Sequence, residues 1–309
     1  MEHTINTRAD LHIHTNASDG ILSPDELLYQ IKNSGISIIS ITDHDSVASV
    51  DITNRRAERF GIQTIPGVEL SAEYNGVDLH FLGYFIEHHS KRFLDYLYLF
   101  RRRRYQRAQE MVEKLYKLGI RIRFEQVVLA AGNGPIGRPH VADVLIQYGL
   151  VKSREDAFQK YLYNGGPVYV DKYCITAGEV IDLIHSIGGA AFIAHPGMSC
   201  SDEIIIELLS AGLDGIEVVH PKHTQEMVVQ YTAFADEHGL LKSGGSDFHG
   251  NSPNEAQIGE YTISTEYADR IKSYCEVKRN EWHIEIDEEG PTVEEDTEEQ
   301  LLDEDSDEL

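Results

Sequence analysis

The chain has little of what a secreted or membrane-bound protein needs. Cysteine is scarce: Cys174, Cys200 and Cys275 are three, an odd number, and none pairs at metal-binding spacing. That excludes a disulfide framework and a cysteine-rich metal knuckle, and leaves free thiols in a reducing compartment. No apolar run reaches the 18 residues or more that a membrane-spanning helix requires. Met1-Glu2-His3-Thr4 lacks the basic-then-apolar pattern of a secretory signal, so a cytoplasmic location is expected. Basic residues are also few, 27 against 52 acidic, for a formal net charge of −25.

Taken as a sum, that charge argues against an anionic substrate. Its distribution argues the other way. Residues 285–309 hold fourteen acidic residues and no Lys or Arg, whereas residues 101–173 hold 14 Lys and Arg against 7 Asp and Glu, a local net of +7. Over half of the basic residues thus fall in about a quarter of the chain. A basic segment in an acidic protein suggests a surface that meets phosphate; a solvated helix face is the plain alternative.

A chain of 309 residues can bury a full core. Short β-branched segments recur at 8–14, 36–42, 64–70, 78–85, 190–194, 214–219 and 241–245. Several precede helix starts, among them the capping boxes Ser23-Pro24-Asp25-Glu26 and Thr176 to Glu179. Strands alternating with helices predict an α/β fold with a parallel sheet closed into a barrel, a seven-stranded variant of the eight-stranded kind. Between about 86 and 175 the alternation stops. Residues 93–118 read as one long helix, a glycine-rich loop (131–137) leads to Arg138-Pro139-His140 and a second helix, and Ser153 caps a third. The expected organisation is a barrel from 1–98 plus 174–286, a helical insertion at 99–173 seated over one barrel end, and an acidic, disordered tail at 287–309.

Residues two apart on a strand share a face, so His12 and His14 of Asp10-Leu-His12-Ile-His14 point the same way. Other ligand-type residues fall at or near the ends of predicted strands: Asp43 and His44, Glu69, His80, His195, Asp247 and His249, with Asp19 in the loop after His14. In barrels the C-terminal strand ends form the catalytic face. Imidazole with carboxylate suits Zn²⁺, Mn²⁺ or Fe²⁺ rather than Ca²⁺. One such residue at a strand end is commonplace; one at nearly every strand end is not.

Four of these segments, His12-x-His14, Thr42-Asp43-His44, Ala194-His195-Pro196 and Gly245-Ser246-Asp247-Phe248-His249, resemble the four motifs of the polymerase and histidinol phosphatase (PHP) family. The resemblance runs over roughly residues 8–285. Gly137-Arg138-Pro139-His140 and the Tyr161…Tyr169 stretch are similar to its TrpH-like, RNase AM-like branch. The resemblance implies a distorted (β/α)7 PHP barrel and a metal-dependent phosphoesterase acting on nucleoside 3′,5′-bisphosphates, or as a 5′–3′ exonuclease on short RNA or DNA. A histidinol-phosphate-type phosphomonoesterase is the alternative. Two or three divalent ions are implied, Mn²⁺ first, with Zn²⁺, Fe²⁺ or Mg²⁺ as alternatives.

Carried over, the ligand set is His12, His14, Glu69 and Asp247 at one subsite, Glu69, His80 and His195 at a second, and Asp19, His44 and His249 at a third. Three divalent ions among six neutral imidazoles and three carboxylates leave +3, which lets an acidic protein hold a polyanion. A hydroxide shared between two ions would attack phosphorus in line, since metal binding lowers the pKa of water from ~15.7 toward ~7. Glu69, His195, Asp247 and His249 are the expected catalytic groups.

On the substrate side, Arg138 at a helix N-terminus suits a terminal phosphate, with His140 two residues on, and His220 and His223, which follow the strand at 216–219 at the active end, are the other expected contacts. The plain reading of Arg138 is a tie pinning the insertion; of His220 and His223, structural roles. Asp43 reads as a partner orienting an imidazole, and Asp45 as a helix-start residue. Tyr161, Tyr163 and Tyr169 could stack on bases, though packing within the insertion is the plainer role. His3, His88, His89, His185, His238 and His283 have no identifiable partner. A nucleotide or short oligonucleotide is the expected partner, with no membrane and no obligate protein. Two rivals remain: a metal-dependent amidohydrolase, which usually bridges its ions with a carboxylated lysine where Glu69 stands here, and a non-catalytic module that uses metals structurally.

Overall fold

A computed structural model describes residues 8–32, 34–171, 175–250 and 255–281. The acidic tail, His3, His283 and Cys174 lie outside the described residues.

All seven predicted strands form: β1 (Arg8–Ile13), β2 (Ile36–Ile41), β3 (Gln63–Tyr74), β4 (Val77–Tyr84), β5 (Ala190–Ile193), β6 (Gly215–Val219) and β7 (Leu241–Gly244). A two-residue β8 (Ile263–Ser264) joins them, too short to leave a sequence signal. The sheet order is β7-β6-β5-β4-β3-β2-β1-β8. Beyond β7 the chain crosses to the other edge of β1: Asp247 N–H donates to the His12 carbonyl and His14 N–H to the Phe248 carbonyl, each at 2.9 Å. Those bonds draw the sheet into a nearly closed barrel.

The expectation of an all-parallel sheet needs correction. β3–β4 and β4–β5 pair antiparallel, as does β1–β8. The cause is local. Asn75 (φ 50°) and Gly76 (φ 82°) both occupy the left-handed region between β3 and β4. A two-residue Asn-Gly connection of that kind matches the twist of a hairpin, which reverses the chain without a crossover helix.

Helices α1 (Pro24–Ile31), α2 (Val50–Ala57), α7 (Ala177–Ser186), α8 (Asp202–Ser210), α9 (Gln225–His238) and α10 (Thr265–Glu281) flank the strands. Ser23 and Thr176 close reciprocal capping boxes on α1 and α7, each worth about 1 kcal/mol. One buried cluster packs Val68, Leu70 and Phe81 against Val180 and Ile184 of α7; another packs Leu11, Leu82, Tyr84 and Phe192 against Ile271 of α10. β1 is buried from Ala9 to Ile13.

Between β4 and α7 lie α3 (Lys91–Lys117), α4 (Phe124–Ala131), α5 (Arg138–Gln147) and α6 (Arg154–Ala157). Phe93 and Leu97 of α3 pack into the barrel cluster, whereas Ala108, Met111 and Leu115 join Val127, Val141 and Leu145 in a cluster that the insertion owns. The long helix therefore runs from one core into the other. The glycine-rich loop comes down onto the loop after β1: a side chain at Gly134 would collide with the Ser18 backbone.

Candidate metal centre

The strands deliver their polar residues to one end. Glu69, fully buried on β3, sits at the centre. Its Oε2 is 3.1 Å from His12 Nε2, 3.1 Å from His14 Nε2 and 3.3 Å from His44 Nδ1. Its Oε1 is 2.8 Å from His80 Nδ1 and 3.1 Å from His195 Nε2. Asp247 Oδ1 lies 3.3 Å from His12 Nε2 and 3.1 Å from His14 Nε2. Asp19 approaches from the loop, its Oδ1 3.3 Å from His249 Nε2 and its Oδ2 3.9 Å from His44 Nε2. All nine expected ligands thus meet in one cluster.

Three overlapping groups have ligand atoms close enough to share an ion: His12, His14, Glu69 and Asp247; His44, Glu69 and His80; and His14, Asp19, His44 and His249. They differ from the expected subsites in two details. His44 takes the place of His195 beside His80, while His195 reaches the same Glu69 oxygen as His80. His14 joins the Asp19 group.

The residues fit cations. His12 Nε2 and His14 Nε2 stand 3.1 Å apart, where at most one can carry the bridging hydrogen. His195 Nδ1 is buried without a hydrogen-bond partner, and the buried Nδ1 atoms of His14, His44 and His80 face carboxylate oxygens without hydrogen-bonding geometry. Buried imidazole nitrogens without partners are costly, and a divalent ion is the ligand that this donor set takes.

The electrostatics agree. Burial opposes charge on Glu69, but His44, His12 and His80 outweigh it and hold the carboxyl well below its usual range. Burial likewise opposes protonation of His14, yet Asp247, Glu69 and Asp19 overcome it and raise the imidazole to about 10. His44 goes the other way, to about 3, because burial, helped by the charges of His14 and His80, outweighs the pull of Glu69 and Asp19. The backbone is strained at the same place, with φ of 30° at His195 and 48° at Asp247. Such conformations cost free energy and persist where surrounding structure imposes them. Gly245 is needed because a Cβ there would strike the His12 backbone nitrogen.

Several supporting residues were not anticipated. Glu217, fully buried on β6, places Oε1 2.9 Å from His12 Nδ1, and its Oε2 accepts the His195 N–H at 2.7 Å. A lone glutamate inside Gly215-Ile-Glu-Val-Val was the available signal. Asp10 accepts the Ser246 N–H at 2.9 Å; burial pushes its carboxyl up to about 6. Asp45 is fully buried rather than a helix start, and Arg104 of α3 donates to it at 3.1 Å and to Ser71 Oγ at 3.2 Å. Asp43 does not touch the His44 ring in the role expected for it. It accepts from Thr15 N–H, Thr15 Oγ1, Ser18 Oγ and Ser49 Oγ, and so secures the loop that carries Asp19.

The expected substrate contacts are placed as follows. Arg138, the first residue of α5, donates to the Leu162 carbonyl at 3.1 Å and Asn164 Oδ1 at 2.6 Å. His140 Nδ1 accepts the Gly137 N–H at 3.0 Å, and burial lowers the imidazole below its usual value against the charge of Asp143. His220 Nδ1 accepts the Lys222 N–H at 3.1 Å, so its Nε2–H faces Asp247 Oδ2 at 3.2 Å. His223 Nδ1–H donates to the Val218 carbonyl at 3.1 Å while Nε2 accepts the Gly197 N–H at 3.2 Å. Of the arginines on α3, Arg101 donates to the Asn133 carbonyl and Arg107 to the Val170 carbonyl. Tyr161 packs against the insertion's own core and Tyr163 is exposed. His185 does have a partner, Asp214, at 2.7 Å.

A barrel whose strand ends gather imidazoles and carboxylates around a buried glutamate defines a metal-dependent hydrolase. Residues 10–149 match the PHP domain. The chain is 34% identical over 251 residues to the 5′–3′ exoribonuclease Rnm of Escherichia coli, covering 79% of this chain and 86% of that protein. It is 32% identical over 256 residues to the 3′,5′-nucleoside bisphosphate phosphatase of Chromobacterium violaceum, covering 81% and 90%. A solved structure from Bifidobacterium adolescentis, described as a metal-dependent phosphoesterase, superposes with a TM-score of 0.74 at 29% identity, covering 86% of this chain and 95% of that one. The chain belongs to the PHP family of metal-dependent phosphoesterases, and is a hydrolase of phosphate esters.

Proposed function

We propose that this phosphoesterase hydrolyses nucleoside 3′,5′-bisphosphates and trims short 5′-phosphorylated RNA or DNA in the cytoplasm, using two or three divalent ions, Mn²⁺ first among them. The observation that carries this reading is the nine-residue cluster, together with a basic insertion whose glycine-rich loop abuts the loop that carries Asp19. The relatives named above are, by their names, a 5′–3′ exoribonuclease and a 3′,5′-nucleoside bisphosphate phosphatase.

In this reading His12, His14, Glu69 and Asp247 would hold one ion, Glu69 with His80 and His195 a second, and Asp19, His44 and His249 a third. When bound, such ions supply Lewis acidity and make hydroxide available near neutral pH. The protein's own groups do the rest. Glu217 keeps the His12 proton on Nδ1 and so turns the Nε2 lone pair inward. His220 steadies Asp247 from behind. His223, with both ring nitrogens bonded to backbone, holds the Gly197 turn after His195 rather than touching substrate. His140 accepts at Nδ1, which leaves a neutral Nε2–H donor for a phosphate oxygen. Arg138 keeps α5 in place and adds positive charge at its N-terminus. The insertion, approximately 99–173, acts as the cap.

The test is a substrate panel on Mn²⁺-loaded protein: a 3′,5′-bisphosphate, a 5′-phosphorylated oligoribonucleotide, histidinol phosphate and a plain monoester. Turnover of the first two well above the others is expected. Equal or faster release of phosphate from histidinol phosphate overturns the substrate class.

A further inference from the structure

The structure forms a second histidine and carboxylate cluster that shares no residue with the central one. Asp51, in the first turn of α2, faces His88 and His89, the consecutive residues that close the turn before α3. His88 Nε2 is 2.9 Å and His89 Nε2 3.3 Å from the same oxygen, Asp51 Oδ1. Neighbouring residues in extended chain send their side chains to opposite sides. Here the Ser90 N–H bonds to the Glu87 carbonyl at 3.1 Å and folds the segment into a turn. The two imidazoles then lie side by side, ring centroids 4.2 Å apart and tilted by 38°.

We propose that Asp51, His88 and His89 form a peripheral site for one Zn²⁺-class divalent ion, which clamps the start of α2 to the root of α3. Two imidazole nitrogens and one carboxylate oxygen, all within 4.8 Å of one another, are a three-donor set for a first-row transition ion. His89 is half exposed and Asp51 is 43% exposed at its side chain, so solvent completes the coordination and the carboxylate gives up little hydration on binding. His88 lies deeper, at 12% side-chain exposure, and anchors the site to the protein. Burial works against the Asp51 charge, but His88 and His89, with Arg55 nearby, outweigh it and lower its carboxyl, so the ligand is ionised at neutral pH. Arg55 also repels a cation, which makes this site weaker than the central one.

The location gives the ion something to do. Ser49, immediately before α2, holds Asp43, and α3 carries Arg104 to Asp45. A clamp at Asp51 and His88–His89 ties together two helices that brace the loops around the central cluster, α2 from the residue before its start and α3 from its middle.

The experiment uses the full chain, with the central cluster already saturated by Mn²⁺. Equilibrium dialysis against buffered free Zn²⁺, followed by elemental analysis, is run on the parent, His89→Ala and Asp51→Asn. The Mn²⁺-supported hydrolysis rate of each variant, measured before zinc is added, is expected to equal the parent's. The parent is expected to hold one more Zn²⁺ per chain than either variant over a range of free concentration. Its melting temperature should rise with zinc across that range while those of the variants do not. Equal zinc stoichiometry in all three proteins, with equal melting shifts, overturns the proposal and leaves an ion-paired cluster only.

Discussion

Glu217 grips the metal centre from two sides: one carboxylate oxygen stands 2.9 Å from the His12 ring and the other takes the His195 backbone N–H at 2.7 Å. Burial opposes its charge, yet His12 outweighs burial and holds the carboxyl below its usual range. The pairing joins β6 to β1 and β5, and fixes which nitrogen of His12 faces inward. Glu217→Gln presents an amide that cannot accept from both partners at once. Metal affinity, read by competition with a chromogenic chelator, should fall roughly 10–100-fold, the range for losing a group behind a ligating histidine. Unchanged affinity would mean that His12 needs no such support.

His223 separates two roles that the sequence left open. Both of its ring nitrogens bond to backbone, at Val218 and Gly197. His223→Ala strands the buried Val218 carbonyl and releases the N–H of exposed Gly197, and should cost about 1–3 kcal/mol of stability by urea unfolding. A substrate contact would behave differently, raising KM with stability intact.

Arg104 spans the insertion and the barrel. Its partner Asp45 is fully buried, while the arginine side chain is 22% exposed. Burial raises the Asp45 carboxyl despite Arg104, so the charge depends on that contact. Arg104→Met keeps the stem but leaves the carboxylate alone. A loss of about 3 kcal/mol is expected, the low end for breaking a buried pair. A change under about 0.5 kcal/mol, typical of surface substitutions, would show that the pair is ornamental.

The two described thiols should be inert. Burial pushes Cys200 and Cys275 each up to about 12. At pH 8 their thiolate fraction is then roughly a thousandth of that of a thiol at its ordinary value. Peptide mapping after iodoacetamide treatment should find both unmodified in the native protein and both alkylated in urea. The reactivity should climb only as the pH rises toward 12, because the thiolate is the reacting form. Rapid native alkylation at pH 8 would contradict their burial.

Much of this architecture is legible in the sequence because the chemistry interrupts the hydrophobic pattern where strands end. His44, His195 and Asp247 each follow a strand, so strand direction alone sends them to one rim; Glu69 was expected to end its strand and instead lies midway along β3. Direction itself was the weak point. Apolar alternation says nothing about whether β4 runs with or against β3, and only Asn75-Gly76 carried that information. Glu217, Asp10 and Asp45 were missed for another reason. Their partners stand far away in sequence, 205 residues in the case of Glu217 and His12, and a buried carboxylate is recognisable as useful only once its partner is beside it. Asp43 was expected at an imidazole and is found on the hydroxyls of Thr15, Ser18 and Ser49, which no spacing rule pairs with it.

The most direct measurement is anomalous X-ray diffraction from crystals soaked in Mn²⁺. Peaks are expected on both sides of the Glu69 carboxylate, within coordination distance of its oxygens and of the nearest imidazole nitrogens. One should fall among His12, His14 and Asp247, and another beside His80. Crystals that diffract well and show no anomalous density near Glu69 at saturating Mn²⁺ would contradict the account.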